Sequence, residues 1–186
     1  KSKRKLFIEP FAGGGIVALT AADEGLVDHV IMVELDPDIA AVWKTILEGD
    51  ARALADRILH FQLTPENVSE VLESGDTSTE HIAFKTILRN RINHGGILAP
   101  GAGKVKSGEN GKGLKSRWYP ETLKKRILDI QQYRERITFI EGDGIQIMHQ
   151  YAGQSDAAFF IDPPYTAAGK KAGARLYTLF ELDHPA

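Results

Sequence analysis

The stretch LFIEPFAGGG, residues 6–15, predicts the fold of this chain. Its apolar first half is typical of a buried strand, and its three consecutive glycines are typical of a tight turn. A helix is predicted from Ile16 to Glu24, and a second apolar strand from Val30 to Glu34. Asp36-Pro37 then supplies an N-cap and a proline for the start of another helix. Together these segments predict a βαβ unit with a right-handed crossover.

The remaining elements continue this pattern after a long interruption. Strands are predicted at 137–141 and 157–162, with a short helix at 145–150 between them. In this interruption strands no longer alternate with helices, and helices are predicted at 64–74, 79–92 and 120–133. Seven glycines between His94 and Lys115 indicate a loop with high backbone freedom.

These elements predict an α/β protein with a Rossmann-like fold, doubly wound around a mainly parallel sheet. Its length of 186 residues suits one such domain with an insertion. We expect the main domain to comprise residues 1–49 and 134–186, and a largely helical and loop insertion to comprise residues 50–133.

The composition excludes several classes of protein. No apolar run approaches the roughly 20 residues needed to span a bilayer. The chain has no cysteine, which excludes disulfides and cysteine-ligated zinc, and its six histidines show no metal-ligand spacing. We therefore expect a cytoplasmic protein with no membrane segment and no metal ion.

The net charge of −2 conceals an uneven distribution. Residues 101–126 contain eight Lys or Arg against Glu109 and Glu121, a balance of +6, which leaves −8 for the rest of the chain. A basic segment on an acidic protein indicates a polyanionic partner, although a solvated loop is the alternative. The residues that we expect on nucleic-acid phosphates are Lys104, Lys106, Lys112, Lys115, Arg117, Lys170 and Lys171.

The glycine turn fits the loose G-x-G-x-x-G/A pattern from Gly13 to Ala18. Glu34 follows Gly15 by 19 residues, at the end of the second strand, where an acid accepts hydrogen bonds from ribose hydroxyls. The pattern does not distinguish a dinucleotide site from an S-adenosylmethionine site. A glycine turn that serves only strand–helix packing is the alternative.

Two further acids favour S-adenosylmethionine. Glu9 ends the first strand, where its charge would repel a pyrophosphate and attract an ammonium or sulfonium group. Asp143 follows the third strand, in position to accept a hydrogen bond from an adenine amino group. A helix N-cap is the alternative role of Asp143, and the two roles are compatible.

The fourth predicted strand ends in Asp162-Pro163-Pro164-Tyr165. Two prolines cannot continue a central strand, so the chain should leave the sheet at Asp162. Ligands of open α/β sheets bind outside the carboxyl ends of the strands, and we expect Asp162 and Tyr165 to project into that cleft. A strand-ending turn with a capping aspartate is the alternative.

In this order the motifs resemble the Dam-like, D12-class adenine-specific DNA methyltransferases. The segments that carry the resemblance are 7–15, Glu34, Asp143, 162–165 and a middle region from 90–93 through 117–123. The resemblance covers most of the chain. It implies an enzyme of bacterial or phage type with a Rossmann-like methyltransferase fold and an insertion that recognises double-stranded DNA. It also implies S-adenosylmethionine as cofactor and S-adenosylhomocysteine as product.

The resemblance also implies roles for individual residues. Asp162 and the Pro163 carbonyl would hold the amino group of an adenine extruded from the duplex, and Tyr165 would stack on its ring. The four motif residues Asp162, Pro163, Pro164 and Tyr165 are therefore the catalytic candidates. The residues to which we assign cofactor contacts are Glu9, Pro10, Phe11, Ala12, Gly13, Gly15, Glu34, Leu35, Asp143, Gly144 and Asp162.

The chain also departs from the family pattern. Family members usually carry a cofactor-contacting segment before the glycine motif and further strands after the Asp-Pro-Pro-Tyr motif. We therefore expect a fragment, a permuted arrangement or one part of a split enzyme, the last of which needs a second polypeptide as partner.

Three alternative activities stay open from the sequence. A ribosomal RNA methyltransferase acting on guanine N2 usually has its motifs closer than the 147 residues between Gly15 and Asp162. An N4-cytosine methyltransferase is chemically similar. A nicotinamide oxidoreductase would leave the Asp-Pro-Pro-Tyr motif unexplained. A non-catalytic subunit is a fourth possibility.

Overall fold

The computed structural model describes residues 4–106 and 111–163. Within this part of the chain, one parallel sheet has the strand order β3-β2-β1-β4. Its strands are β1 Arg4–Glu9, β2 Val27–Glu34, β3 Ile137–Glu141 and β4 Ala157–Phe159. The order runs outward from β1 to β3 and then returns to the other side of β1 with β4. This topology confirms the predicted Rossmann-like α/β class, and it puts the switch point at the carboxyl ends of β1 and β4.

Seven α-helices lie in the described ranges. They are α1 Ile16–Asp23, α2 Pro37–Leu47, α3 Ala51–His60, α4 Pro65–Glu73, α5 Thr79–Ile92, α6 Pro120–Ile130 and α7 Gly144–Tyr151. Short 3-10 turns occupy His94–Gly96, Gly113–Arg117 and Gln131–Arg136. Side chains of Asp36, Thr64 and Ser78 accept backbone hydrogen bonds at the starts of α2, α4 and α5, as expected for N-caps.

Helix α3 occupies a part of the chain where the sequence predicts no regular element. Its N-cap is Asp50, whose side chain accepts a hydrogen bond from the backbone N–H of Ala53 at 2.8 Å. Leu54 and Ile58, four residues apart, are buried on one face. The sequence signal was an N-cap followed by apolar residues at helical spacing, but alanines and charged residues separate its few large apolar side chains.

The sheet is packed on both faces. On one face Val30 and Met32 contact the apolar sides of α1 and α2. On the other face Ile8 and Val33 form a cluster on which Ile147 of α7 packs. Burial of these aliphatic side chains on both faces explains why β1 and β2 read as continuous apolar runs.

The inserted helices form a third core with α2. Phe84, Leu88 and Trp118 from the insertion are buried together with Ala41 and Ile46 of α2. Rings of Phe61 and Trp118 meet edge to face at 5.9 Å, and Trp118 is thus a core residue. The insertion shares a core with the helix that directly follows β2. The division into residues 1–49 with 134–186 and residues 50–133 stays a prediction.

No α-helix in the described part of the chain is both long and apolar enough to cross a membrane.

Candidate active site

The turn after β1 is held by hydrogen bonds from both sides. The Glu34 carboxylate accepts from the backbone N–H of Gly13 at 2.8 Å, and the indole N–H of Trp43 donates to the Gly13 carbonyl at 2.8 Å. The backbone N–H of Ala12 donates to the carbonyl of Val33 at 2.9 Å. Because β2 and α2 supply these partners, the turn is preorganised by the βαβ unit itself.

The three glycines of the turn have different environments. Gly15 has φ +63°, and a Cβ placed on it would lie 2.4 Å from Met32 Cε and 2.8 Å from Trp43 Cζ2. Gly15 therefore allows close packing of the turn on β2 and α2. A Cβ placed on Gly13 or Gly14 would meet no atom of the described residues within 4 Å, although Gly13 has a left-handed φ of +48°. The first two glycines thus border open space that a ligand can approach.

Glu9 is a buried carboxylate at the end of β1. Its side chain is only 4% exposed, and Oε2 accepts from the backbone N–H of Ala18 in α1 at 2.8 Å. Burial raises the pKa of Glu9, the Ala18 hydrogen bond lowers that pKa, and the charge of Asp162 raises it further. The backbone N–H of Phe160 donates to the carbonyl of Ile8 at 3.0 Å, so the segment that leads to Asp162 runs beside the end of β1 at the switch point.

Glu34 lies at the end of β2 and holds two backbone segments. Besides Gly13, it accepts from the backbone N–H of Asp36 through Oε1 at 2.9 Å. Burial raises the pKa of Glu34 even though these hydrogen bonds lower it. Each carboxylate oxygen has a second lone pair, so Glu34 can still accept from ribose hydroxyls. The next residue, Leu35, is 46% exposed.

Asp143 is the N-cap of α7, because its Oδ1 accepts from the backbone N–H of Ile145 at 2.8 Å. Asp143 therefore has the N-cap role that the sequence left as the alternative, and this role uses one of its two carboxylate oxygens. A Cβ on the neighbouring Gly144 would lie 2.1 Å from the Pro10 carbonyl oxygen. Gly144 therefore lets the start of α7 rest on the backbone before the glycine turn, and this contact sets Asp143 beside β1.

The other predicted site residues are placed as follows. Pro10 and Ala12 are buried and Phe11 is half-buried, next to the glycine turn. Asp162 and Pro163 are exposed beyond β4. The predictions for Pro164, Tyr165, Lys170 and Lys171 lie outside the described residues.

The predicted phosphate-binding residues fall into two groups. Lys104, Lys106, Lys112 and Lys115 are exposed. Arg117 is half-buried, and its guanidinium donates to the carbonyl of Asn93 at 3.0 Å. Arg117 therefore holds backbone in addition to any contact that it makes with a ligand.

Residues 93–99, which we call the recognition turn, are tied to α5. Asn90 donates to the Gly96 carbonyl at 2.9 Å, and Asn93 donates to the Ile97 carbonyl at 2.7 Å. The Arg89 guanidinium donates to the Leu98 carbonyl. Three consecutive carbonyls of this turn therefore have side-chain partners, and high backbone freedom of the loop stays a prediction.

Arg91 and Arg126, which are outside the predicted site, carry charges near that of the predicted Arg117. The Nε of Arg91 is buried and has no hydrogen-bond partner among the described residues. Burial lowers the pKa of Arg91, and the nearby charges of Arg117 and Arg126 lower it further. In the part of the chain that the structure describes, none of the three forms an ion pair with a carboxylate. The count of basic residues missed Arg91 because it began at residue 101.

The residues at the switch point fit S-adenosylmethionine better than a dinucleotide. Gly13 and Gly14 border open space, and the carboxylates of Glu9, Glu34 and Asp143 follow three neighbouring strands. Carboxylates accept hydrogen bonds from hydroxyl, amino and ammonium groups, whereas they repel a pyrophosphate. In residues 4–106 and 111–163 no group of three or more His, Asp or Glu is placed to hold a metal ion.

Comparison with known proteins addresses the family of the chain. A search of the curated proteins finds no match. A family model described as D12 class N6 adenine-specific DNA methyltransferase matches residues 1–184, which is almost the whole chain. The chain therefore belongs to the D12 class of N6 adenine-specific DNA methyltransferases.

Proposed function

We propose that the chain transfers the methyl group of S-adenosylmethionine to N6 of an adenine extruded from double-stranded DNA. The observation that carries this proposal is that the glycine turn and Glu9 lie at the end of β1, and Asp162 follows the adjacent strand β4, at the switch point of the sheet. Membership of the D12 class supports the reaction. We assign catalysis to residues 1–49 with 134–186 and DNA recognition to residues 50–133.

The acids at the strand ends are proposed to orient the cofactor. Glu34 would accept from the ribose hydroxyls with its remaining lone pairs, while Leu35 and Asp143 would contact the adenine. Glu9 would offset the positive charge of the methionine portion, since a buried carboxylate beside a second acid is stabilised by a cation. Gly13 and Gly14 would allow backbone approach. Pro10, Phe11, Ala12, Gly15 and Gly144 would shape that surface.

Asp162 and Pro163 are proposed to prepare the target amino group. The lone pair of an exocyclic amino nitrogen is delocalised into the ring, which makes the nitrogen a weak nucleophile. The Asp162 carboxylate and the Pro163 carbonyl can each accept one amino hydrogen, which localises the lone pair and orients it. When bound, S-adenosylmethionine supplies an electrophilic methyl group on a sulfonium. Stacking of the extruded base on Tyr165 would offset part of its unstacking cost.

The arrangement of α5 supports a DNA path past this site. Arg89 of α5 forms an ion pair with Asp38 in the first turn of α2, at 2.9 Å. Because α2 begins directly after β2, this pair holds the end of α5 at the carboxyl edge of the sheet. The recognition turn follows α5 and would thus face a duplex whose adenine reaches Asp162. Arg91, Arg117 and Arg126, with Lys104, Lys106, Lys112 and Lys115, are proposed to contact its phosphates.

The test is transfer of labelled methyl from S-adenosylmethionine to unmethylated duplex DNA, followed by digestion to nucleosides. We expect the label in N6-methyladenine, and a fully methylated duplex as control should accept none. Label in N4-methylcytosine, or label only in ribosomal RNA, would reject the proposed substrate. If the chain binds the cofactor but transfers methyl groups only after a second polypeptide is added, the enzyme is split between two chains and the single-chain proposal is rejected.

A further inference from the structure

Arg89 joins two segments that no other described side chain is seen to join. Its Nη1 donates to Asp38 Oδ2 of α2 at 2.9 Å, and its Nη2 donates to the carbonyl of Leu98 in the recognition turn. Asn90 and Asn93 also hold that turn, but the structure shows their side chains bonding only within residues 90–97. Arg89 is therefore the direct hydrogen-bonded link between the recognition turn and the first turn of α2.

The link continues from Asp38 to the glycine turn. The backbone N–H of Asp38 donates to Asp36 Oδ1 at 2.9 Å, and the backbone N–H of Asp36 donates to Glu34 Oε1 at 2.9 Å. Glu34 in turn accepts from the backbone N–H of Gly13 at 2.8 Å. One unbroken path of hydrogen bonds thus runs from the edge of the open space at Gly13 to the Leu98 carbonyl.

The setting of Arg89 makes this path rigid. Its side chain is 23% exposed and that of Asp38 is 37% exposed, so water competes only in part for their hydrogen bonds. A planar guanidinium can hold two acceptors at a fixed angle, which a lysine ammonium on a flexible stem cannot do. Displacement of residues 34–38 would therefore be transmitted to the recognition turn.

We infer that Arg89 is a positioning residue that couples occupancy of the cofactor site to the conformation of the recognition turn. A ligand that contacts Glu34 and Gly13 should reduce the motion of residues 34–38 and, through Arg89, that of Leu98. If the bound cofactor strengthens DNA binding in this way, thermodynamic reciprocity requires that DNA strengthen cofactor binding by the same factor. The DNA part of this inference rests on the proposed function, whereas its structural part needs only cofactor binding.

The first experiment is amide hydrogen exchange of peptides covering residues 93–99, with and without saturating S-adenosylhomocysteine. We expect the product to slow exchange of these peptides in the wild-type protein. Arg89→Met and Asp38→Ala, which removes the acceptor of the Arg89 hydrogen bond, should bind S-adenosylhomocysteine but lose that slowing. The matched control is Lys124→Met, which removes the 2.6 Å ion pair between Lys124 of α6 and Asp56 of α3 and should retain it.

The second experiment is calorimetric titration of S-adenosylhomocysteine, which has no methyl group to transfer, with and without an unmethylated duplex. We expect the duplex to strengthen cofactor binding about fivefold or more in the wild type and the Lys124→Met control. In Arg89→Lys the melting temperature and each separate affinity should stay near wild type, but the coupling factor should fall toward one. That result distinguishes the double contact of Arg89 from its charge.

The inference is overturned if S-adenosylhomocysteine leaves the exchange of residues 93–99 unchanged in the wild type. It is also overturned if Arg89→Met keeps the slowing, or if Lys124→Met loses it equally. A protein that shows the exchange pattern but methylates no DNA would reject the proposed function and leave the Arg89 link in place.

Discussion

The indole Nε1 of Trp43 in α2 donates a hydrogen bond of 2.8 Å to the carbonyl of Gly13, in the turn after β1. The same indole ring lies against Gly15, where an added Cβ would approach it to 2.8 Å. One buried side chain thus both orients the first glycine and packs on the third. Trp43 therefore holds the surface on which we expect the cofactor to bind.

Trp43→Phe should loosen this surface. The substitution leaves the Gly13 carbonyl without its donor, and we expect a loss of about 1 kcal/mol in the free energy of unfolding. The affinity for S-adenosylmethionine should fall several-fold, as measured by calorimetric titration. Trp118→Phe is the matched control, since Trp118 is buried in the insertion and should affect stability but not cofactor affinity. Equal loss of cofactor affinity in both variants would contradict the specific role of Trp43.

Gly14→Ala and Gly15→Ala should separate ligand approach from packing. Gly15→Ala forces a methyl group against Met32 and Trp43 at a left-handed φ, and it should lower stability by about 1–3 kcal/mol. Gly14→Ala meets open space, so its stability should stay near wild type while its cofactor affinity falls. Chemical denaturation and cofactor titration measure the two effects. An unchanged affinity in Gly14→Ala would show that the cofactor does not approach this glycine.

Glu9→Gln should change how stability depends on pH. Since the pKa of Glu9 is raised in the folded protein, the folded state keeps its proton where the unfolded chain has lost it. The contribution of Glu9 to stability is therefore greatest below pH about 4.3 and is lost as the pH rises through the folded pKa. The glutamine side chain of the variant does not ionise. Between pH 4 and pH 7, the unfolding free energy of the wild type should therefore fall relative to that of Glu9→Gln.

The same variant tests the proposed attraction of Glu9 for a cationic ligand. Only the ionised carboxylate attracts an ammonium or sulfonium group, so wild-type affinity for S-adenosylmethionine should rise with pH over this window. In Glu9→Gln the affinity should be weaker and should depend less on pH, with the remaining dependence coming from Glu34, whose pKa is also raised. The exposed Glu121→Gln serves as control and should behave like the wild type. A wild-type affinity that falls as the pH rises would exclude this role.

Asp162→Ala should abolish methyl transfer while cofactor binding persists. Asp162 is exposed beyond β4, so its removal should have little effect on stability, but it removes a proposed acceptor for the target amino group. We expect a loss of roughly 100-fold or more in the transfer rate. NMR titration should also show a lower pKa for Glu9, because the charge of Asp162 raises it. Retained transfer would remove Asp162 from the catalytic group.

Arg91→Met should weaken DNA binding without destabilising the fold. The substitution removes a partly buried cation that has two like charges nearby and no hydrogen-bond partner for its Nε among the described residues. Unfolding free energy should therefore stay unchanged or rise. The slope of log affinity for duplex DNA against log salt should decrease in magnitude by about 0.9. Lys125→Met, whose lysine pairs with Asp129 within α6, should leave this slope nearly unchanged. A reduced stability with an unchanged slope would assign Arg91 to packing.

Much of the fold could be predicted from local pattern. The apolar runs of β1 and β2, the three glycines of the turn and the N-cap residues Asp36, Thr64 and Ser78 are each visible within a few consecutive residues of the sequence. The predicted β3 at 137–141 and α5 at 79–92 match the observed bounds. Helix α3 was missed because alanines and charged residues separate its few large apolar side chains, although Leu54 and Ile58 pack against the other inserted helices.

The sequence by itself determined the α/β class, the order of the motifs and the acids that end the strands, because these depend on hydrophobic period and on residues adjacent to each strand. Tertiary structure alone decided which partners those acids have. Glu34 holds Gly13 across 21 residues, Glu9 lies near Asp162, and Arg89 joins Asp38 to Leu98. Such contacts form between distant segments when the sheet and helices pack, and no local pattern encodes them. That is why the sequence identified the acids but could not show that Glu34 binds the glycine turn or that Arg89 holds the recognition turn.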